Sequence, residues 1–268
     1  MNSQDRRNVP RDLLKVGETV KVAGNVSTRR QGRMFMNNIL LPSGVEIVVM
    51  ENGQARWSER TVGGPAAVPT EELASAKTAS GIFKVWMRQM PPGRFPRNLP
   101  LTESAAAVRA DWNRDEDDFM MKCIAPGMPF SMLGVGPHPI AISENDGVIN
   151  IRAEYFDIAR SVYMDSSKLP ESIPDSLLGL SKGHWDNETL VVKTTDIDWP
   201  WFDRTGVPLS QSAVIEERFT PGANEAELSY DIKVTDPGTF TEPVEAHWSW
   251  LWHPELEIQP YECTLGAA

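Results

Sequence analysis

The chain has 268 residues, 41% of them hydrophobic, and a formal net charge of −11 at pH 7. This length suits one large β domain, or a main domain with a small appendage. The acidic balance argues against nucleic acid and anionic membranes as partners, since both favour clustered Lys and Arg.

The N-terminal residues are polar and contain no apolar core, so no signal peptide is visible. We therefore expect a cytoplasmic protein, or a secreted one whose leader has been removed. Two cysteines, Cys123 and Cys263, are either buried thiols or a disulfide. The four histidines are scattered without metal-ligand spacing, and we expect no metal and no cofactor.

Residues 1–60 are predicted to form a small β module. VGETVKVAG, ending at Gly24, alternates polar and apolar residues as a half-buried strand does. MNNILLPSGVEIVVM reads as two strands joined at the turn Pro42–Gly44. So few short strands bury little surface alone. We therefore expect the module to pack on the main domain or on another subunit, and we predict a homo-oligomer.

Residues 61–122 are predicted to hold a linker, a strand and a helix. Residues 60–80 have a linker composition, and GIFKVWMRQ, from Gly81, is a strand candidate. TESAAAVRADW reads as a helix that Thr102 can cap, because its alanines favour helix and a threonine oxygen can accept from the first turn.

Residues 123–268 are predicted to be a β-rich domain. Seven strand candidates are separated by turn clusters such as KGHWDNE, a spacing typical of an antiparallel barrel or sandwich. The candidates are HPIAIS, GVINIRAEY, IARSVYMD, TLVVKTT, AVIEERF, AELSYDIKVT and EAHWSWLWH.

Alternation places Arg160 and Glu217 on the apolar faces of their strands, because successive side chains point to opposite sides. A lone charge among apolar neighbours is costly, so each should have a partner. They form either a structural ion pair or part of a catalytic site.

Aromatic residues suggest a pocket. Trp248 and Trp250 share one strand face and form either an aromatic pocket wall or a core cluster. Trp199, Trp201 and Phe202 lie in the Pro-broken segment DWPWFD, where they suggest a lid or a stacking surface for a flat ligand.

Four other polar residues are candidates for proton transfer. His184 is placed in a turn, and a histidine can move protons near neutral pH. Tyr163 and Asp165 end their strand at the expected rim, and Asp198 lies at the expected pocket edge. No GxSxG, P-loop or Rossmann spacing is present.

Residues 123–263 resemble a large, mostly uncharacterised bacterial family, many of whose members are secreted. The motifs that carry the resemblance are CIAPGMP from Cys123, PHPI from Pro137, RSVYMD from Arg160, GLSKGHWDNETLVV from Gly179, EERF from Glu216, DPGTF from Asp236 and YEC ending at Cys263. Residues 13–58 also resemble the back half of a small β module that accompanies such domains.

The resemblance implies a calycin-like, or lipocalin-like, β-barrel around a small-molecule cavity. It also implies that an ancestral disulfide persists as two thiols in a cytoplasmic relative. The chain departs from the family at His138, where tyrosine is usual, and at Leu180, where histidine is usual.

We predict a cofactor-independent lyase acting on a hydrophobic aromatic small molecule, with acid–base chemistry in a dry aromatic pocket. One version removes formaldehyde from a lignin-derived diaryl compound to give a stilbene, with Arg160 stabilising the developing negative charge. The alternative is a non-catalytic binding protein for an apolar or aromatic ligand. The candidate catalytic residues are Arg160, Tyr163, Asp165, His184, Asp198 and Glu217, and the candidate substrate-binding residues are His138, Trp199, Trp201, Phe202, Trp248 and Trp250.

Overall fold

The chain folds into two compact units in a computed structural model, residues 1–70 and residues 71–268. We call these the N-terminal unit and the barrel unit. The described residues are 9–10, 13–26, 34–49, 53–64, 80–88, 94–133, 138–170, 176–254, 256–261 and 263. Residues 65–79, which hold most of the predicted linker, lie outside them.

The N-terminal unit is a four-stranded sheet of order β1-β2-β3-β4. Its strands β1 and β2 pair antiparallel, β2 and β3 likewise, and β3 and β4 pair parallel. A small cluster of buried apolar side chains, including Ile39, Leu41 and Ile47, covers the sheet. The strands are β1 Lys21–Val26, β2 Met34–Leu40, β3 Glu46–Val48 and β4 Thr61–Gly63.

A buried carboxylate organises this unit. Glu46 is fully buried, and its two oxygens accept hydrogen bonds from Asn38 Nδ2 at 2.7 Å and from the backbone N–H groups of Arg56, Trp57 and Ser58 at 2.7–2.9 Å. Burial favours the neutral acid, but these bonds favour the carboxylate more strongly, and the pKa of Glu46 falls below its ordinary 4.5. One side chain thereby holds Arg56, Trp57 and Ser58 in the segment that precedes β4.

The barrel unit is a closed nine-stranded barrel of order β10-β11-β12-β13-β5-β6-β7-β8-β9. Its pairs are antiparallel except β8 with β9, which run parallel. The strands are β5 Val85–Arg88, β6 Ile140–Asn145, β7 Val148–Ala153, β8 Ile158–Tyr163, β9 Leu180–Asp186, β10 Thr189–Thr195, β11 Val214–Pro221, β12 Glu227–Thr235 and β13 Val244–Trp252.

The predicted mainly β fold built on a barrel is confirmed, with differences in detail. Strand β5 belongs to the barrel although it lies before residue 123, where the predicted barrel domain began. KGHWDNE was predicted as a turn, and this was wrong: β9 extends through His184 to Asp186, and the turn contains Asn187 at φ 54°. The strand was missed because its residues after Ser181 show no apolar alternation.

The barrel interior is filled by side chains. A side chain that lined a water-sized void would have exposed area within it, yet Trp86, Leu190, Phe219, Tyr230 and Trp250 are all 0% exposed. The rings of Phe219, Tyr230 and Trp250 pack on one another, with the Tyr230 and Trp250 centroids 5.1 Å apart and the Phe219 and Tyr230 centroids 4.8 Å apart. The cavity that the resemblance implied is therefore occupied by the protein's own core where the structure describes it.

Helices pack on the loops at one end of the barrel. The predicted helix is present as α1 Glu103–Asp111, with Thr102 Oγ1 accepting from Ala105 N at 3.2 Å, and two one-turn helices, α2 Arg114–Asp117 and α3 Phe130–Leu133, follow. Phe119, in a 3₁₀ turn after α2, packs on Trp199, with centroids 5.0 Å apart. We refer to residues 103–124 as the helical segment. No described helix is long and apolar enough to cross a bilayer.

A disulfide joins Cys123 to Cys263, with Cα atoms 5.7 Å apart. Of the two alternatives that the sequence left open, two thiols or a disulfide, the structure shows the disulfide, because the end of the helical segment and the C-terminal segment come within bonding distance. Two hydrogen bonds also hold the C-terminal segment. The backbone N–H of Gln259 donates to Glu154 Oε2 and that of Tyr261 donates to Asp157 Oδ1, both at 3.0 Å.

Reduction of the disulfide should lower the melting temperature. The bond closes a 140-residue separation, and removing a native disulfide typically costs about 2–5 kcal/mol because the unfolded chain gains freedom. Calorimetry with and without reductant measures the shift. The double variant Cys123→Ser/Cys263→Ser is the control and should melt at one temperature in both buffers; an unchanged melting temperature in reduced wild-type protein would contradict the prediction.

The pKa of Glu46 should be measurable below 4.5 through the amides that it accepts from. Because the folded pKa is lowered, the stabilisation is complete above the unfolded pKa and is lost as the pH falls through the folded pKa. Amide NMR shifts of Trp57 and Ser58 should move together as Glu46 titrates. Glu46→Gln should remove that inflection, and a wild-type midpoint at or above 4.5 would contradict the assignment.

Candidate functional site

A closed polar network lies inside the barrel, centred on the two charged residues predicted to face inward. Arg160 on β8 donates to both carboxylate oxygens of Glu217 on β11, with Nη1–Oε1 at 2.9 Å. Its remaining printed bonds go from Nε to Ser181 Oγ at 2.9 Å and from Nη2 to Thr194 Oγ1 at 2.7 Å. Tyr230 Oη donates to Glu217 Oε1 at 2.7 Å.

Burial and mutual contact set the charge states in this network. Desolvation disfavours the charged guanidinium, but the adjacent Glu217 carboxylate outweighs it and raises the pKa of Arg160 above its ordinary value. Desolvation, followed by the negative charge of Glu217, raises the pKa of Tyr230 well above 10. The network is thus a stable ion pair with a neutral phenol.

This network is sealed from solvent. Arg160 is 3% exposed, and Ser181, Thr194, Glu217 and Tyr230 are 0% exposed. A general acid or base must reach the substrate proton within hydrogen-bond distance. The arrangement therefore fits the structural ion pair that the sequence left open, and it offers a substrate no contact in this state.

The other predicted catalytic residues do not converge. Tyr163 ends β8 and is paired with Val148, while Asp165 is exposed and caps a 3₁₀ turn by accepting from Ser167 N at 2.8 Å, which lowers its pKa. His184 is exposed on β9, and Asp198 is exposed in the loop after β10. The structure brings none of these four to Arg160.

The predicted substrate-binding aromatics are largely core residues. Trp199, Phe202, Trp248 and Trp250 are buried, and Trp201 is half-buried against Trp112 at 4.6 Å between centroids. Trp248 also stacks beneath Arg88, whose guanidinium carbon lies 4.2 Å from the ring centroid. Desolvation lowers the pKa of Arg88 to about 10. These rings pack the barrel and its capped end.

His138 belongs to a separate aromatic cluster near the disulfide. Its Nδ1 lies 3.0 Å from Glu154 Oε1, and its ring packs on Tyr155 and Tyr261, with centroids 5.6 and 5.3 Å away. Burial raises the pKa of Tyr155, whose hydroxyl donates to Met120 Sδ at 3.0 Å. The rings touch one another and leave no slot between them for a flat ligand.

An open groove lies on the outer face of strands β10–β13. Its volume is about 690 Å³, and Arg94 and Pro96, which precede the helical segment, contribute to its lining. Cross-strand register sets Val191, Arg218, Asp231 and His247 in one row across the four strands. The remaining lining residues are Glu216, Ile232, Lys233, Glu245 and Ala246.

Most charges around the groove are already matched. Arg218 Nη2 binds Asp186 Oδ2 at 2.7 Å, and His247 Nδ1 lies 2.8 Å from Asp231 Oδ1. Arg218, followed by His184, lowers the pKa of Asp186. Among the described residues, Arg94 has no hydrogen-bonded or ion-paired partner, so its guanidinium is an unpaired positive charge in the lining of the groove.

Sequence reasoning missed this groove. The signal was present in the polar rows of β11, β12 and β13, which alternate with the apolar rows: Glu216 and Arg218, Asp231 and Lys233, Glu245 and His247. Alternation identifies an outward face but not the register that aligns the strands. The position of Arg94 beside the groove depends on the tertiary structure, and no local sequence pattern indicates it. In the described part of the chain, no three His, Cys, Asp or Glu side chains are grouped as a metal site requires.

Comparisons with known proteins give distant likenesses to solved structures. No protein-family model matches the chain, and no curated protein matches its sequence. The chain is similar to a solved secretary abundant heat soluble (SAHS) protein from Ramazzottius varieornatus at 15% identity, covering 66% of this chain and 98% of that one, with a TM-score of 0.35. It is also similar to the REP1-NXSQ fatty acid transporter at 10% identity, covering 65% and 96%, with a TM-score of 0.31.

Breaking the buried ion pair should destabilise the fold. Arg160→Met and Glu217→Leu, made singly, should each cost about 3–5 kcal/mol because each leaves an uncompensated buried charge, whereas the double variant should recover much of that loss. Denaturant unfolding measures all three. Arg218→Ala, which removes an exposed ion pair, is the matched control and should change stability little. Equal losses in the single and double variants would show that the pair is not coupled.

Proposed function

We propose that this protein is a non-catalytic binding protein for an aromatic or apolar small molecule that carries an anionic group. The ligand occupies the groove on the outer face of β10–β13. The proposal rests on the open groove that Arg94 lines, since the barrel interior is already filled by side chains.

The size and lining of the groove suit such a ligand. Small-molecule sites commonly enclose about 300–1,000 Å³, with apolar walls and a few polar groups that fix orientation. Pro96 and Val191 in the lining offer apolar contact for the body of the ligand. An aromatic ring bound between them would lie within reach of the groove's charged edges.

The charge at the groove edge supports an anionic group on the ligand. The Arg94 guanidinium is exposed, and it can pair bidentately with a carboxylate. Glu216 is flanked in register by Lys193 and Lys233, which offset its negative charge. A carboxylate or phenolate near Arg94 is therefore attracted to the guanidinium, and the neighbouring lysines offset the repulsion from Glu216.

Lyase chemistry in the same groove is the second candidate. Asp231 can orient the His247 ring, and the ring nitrogen away from Asp231 is available as a base. In the lyase reaction, a lignin-derived phenolic diaryl substrate would first expel its benzylic hydroxyl as water to give a quinone methide. The base would then take the proton of the terminal hydroxymethyl group, so that formaldehyde leaves and a stilbene phenolate remains, with Arg94 as the cation beside that phenolate. Neither residue was among the predicted catalytic set.

We also propose that the protein matures in an oxidising compartment, the alternative to the cytoplasmic expectation. The support is the Cys123–Cys263 disulfide, because such bonds form and persist in secreted or periplasmic proteins and are rare in the cytosol.

Calorimetric titration with benzoic and cinnamic acids and their neutral methyl esters tests the binding proposal. The acids should bind more tightly than the esters. Arg94→Ala should weaken acid binding by roughly tenfold or more, since a charge-assisted hydrogen bond contributes about 1.5–3 kcal/mol. Arg97→Ala removes a second exposed arginine from the same segment, outside the groove, and should leave affinity unchanged. Equal affinities for wild type and Arg94→Ala would overturn the assignment.

Incubation with phenolic diaryl compounds, followed by ultraviolet absorbance and a formaldehyde assay, separates the two candidates. A binding protein gives neither stilbene absorbance nor formaldehyde. Formaldehyde release that His247→Gln abolishes and Arg97→Ala preserves would replace the binding proposal with the lyase.

A further inference from the structure

The C-terminal segment, residues 253–263, crosses the barrel wall after β13 ends. The backbone N–H of His253 donates to Val85 O on β5 at 3.1 Å. Pro254 and Leu256 line a niche of about 230 Å³ together with residues of β5 and β6. Further along, two backbone N–H groups of the segment reach the turn that joins β7 to β8. The segment therefore spans β5 and β6, a pair of neighbouring strands that shares only two paired positions.

The far half of this segment is held by side chains rather than by a strand ladder. None of its described residues lies in a strand or helix. The Gln259 N–H donates to Glu154 Oε2, and the Tyr261 N–H donates to Asp157 Oδ1. Segments with few backbone hydrogen bonds and little burial open at a lower free energy than core strands do. The segment can therefore detach while the barrel stays closed.

The Tyr261 ring covers an aromatic cluster. Its centroid lies 4.7 Å from that of Phe156, 5.6 Å from that of Tyr155 and 5.3 Å from that of His138. Tyr155 is 4% exposed while Tyr261 is in place. Detachment of the C-terminal segment would expose one side of this cluster to solvent.

The turn beneath the segment is strained. Phe156 and Asp157 both have left-handed backbones, with φ of 54° and 51°. This region is unfavourable for residues that carry a Cβ atom, and such residues normally visit it singly. Tyr261 contacts both of them, through its ring and through its N–H. Strain persists only where the surroundings enforce it, so the turn can relax once Tyr261 leaves.

The disulfide is the covalent tether at the end of the segment. Cys263 is exposed and Cys123 is half-buried, so a reductant can approach the bond. Neither cysteine belongs to a barrel strand, and the barrel closes through backbone pairing between its own strands. Reduction therefore removes the tether without breaking any strand pair.

We propose that the Cys123–Cys263 bond is a redox latch on the C-terminal segment. While the bond is intact, the segment covers the aromatic cluster and holds the strained turn. Once the bond is reduced, the segment detaches, the turn relaxes and the cluster is uncovered, while the barrel stays folded. The latch thus couples a thiol–disulfide change to an element with two conformations.

A dithiol supplies the two electrons for this step. One of its thiolates attacks the exposed Cys263 sulfur, which gives a mixed disulfide and releases Cys123 as a thiolate. The second thiolate of the reductant then displaces Cys263, and the reductant ends as an internal disulfide. The two protons that the dithiol loses end on the two cysteines. An oxidising compartment keeps the latch closed.

Hydrogen exchange of the full chain, followed by NMR with and without dithiothreitol below the melting temperature, tests the proposal. Reduction should speed exchange of the Gln259 and Tyr261 amides by about tenfold or more, since each loses the carboxylate to which it donates. The amides of β11 and β12 should exchange at their former rates, because their ladder is intact. Reoxidation should restore slow exchange at Gln259 and Tyr261.

The double variant Cys123→Ser/Cys263→Ser is the matched control. It should show fast exchange at Gln259 and Tyr261 in both buffers, with β11 and β12 protected as in the wild type. Three results would overturn the proposal. The two amides stay slow in the reduced protein, the β11 and β12 amides accelerate with them, or dithiothreitol fails to reduce the bond in the folded chain. The second result would make the disulfide a support of the whole barrel.

Discussion

The ion pair between Arg160 and Glu217 reinforces one of the two places in the barrel where neighbouring strands share the fewest backbone pairs. Strands β8 and β9 share only two paired positions, as do β5 and β6, whereas β11 and β12 share eight. The pair spans the interior from β8 to β11 and so links strands on either side of the thin β8–β9 seam. Hydrogen bonding to Ser181 on β9 and Thr194 on β10 extends the link around the wall.

A barrel built around such a network has no interior left for a ligand. The same strands instead offer their outer face, and the alternation that turns Glu217 inward turns its neighbours Glu216 and Arg218 outward. A rigid inner core thereby fixes the spacing of the charged rows outside. Preorganised side chains bind with a smaller entropy cost, so a filled barrel can serve as the foundation of an external site.

Sequence reasoning succeeded where a local rule was enough. Alternation identified the buried faces of β8 and β11, and the Thr102 cap located the helix. It failed at β9, where His184 lies in a strand without apolar alternation, and it left Trp248 and Trp250 open between a pocket wall and a core cluster. Trp248 and Trp250 pack with Tyr230, an arrangement that depends on strands distant in sequence and on their register.

The two units carry opposite net charges, +4 for residues 1–70 and −15 for residues 71–268, and this affects how the chain behaves when it is cut. Cleavage between them would yield fragments that migrate toward opposite electrodes near neutral pH, although the intact chain moves as a single anion. The fragments would nevertheless attract each other at low ionic strength, because their net charges have opposite signs. A nicked preparation could therefore run as one species in dilute buffer and as two in concentrated salt.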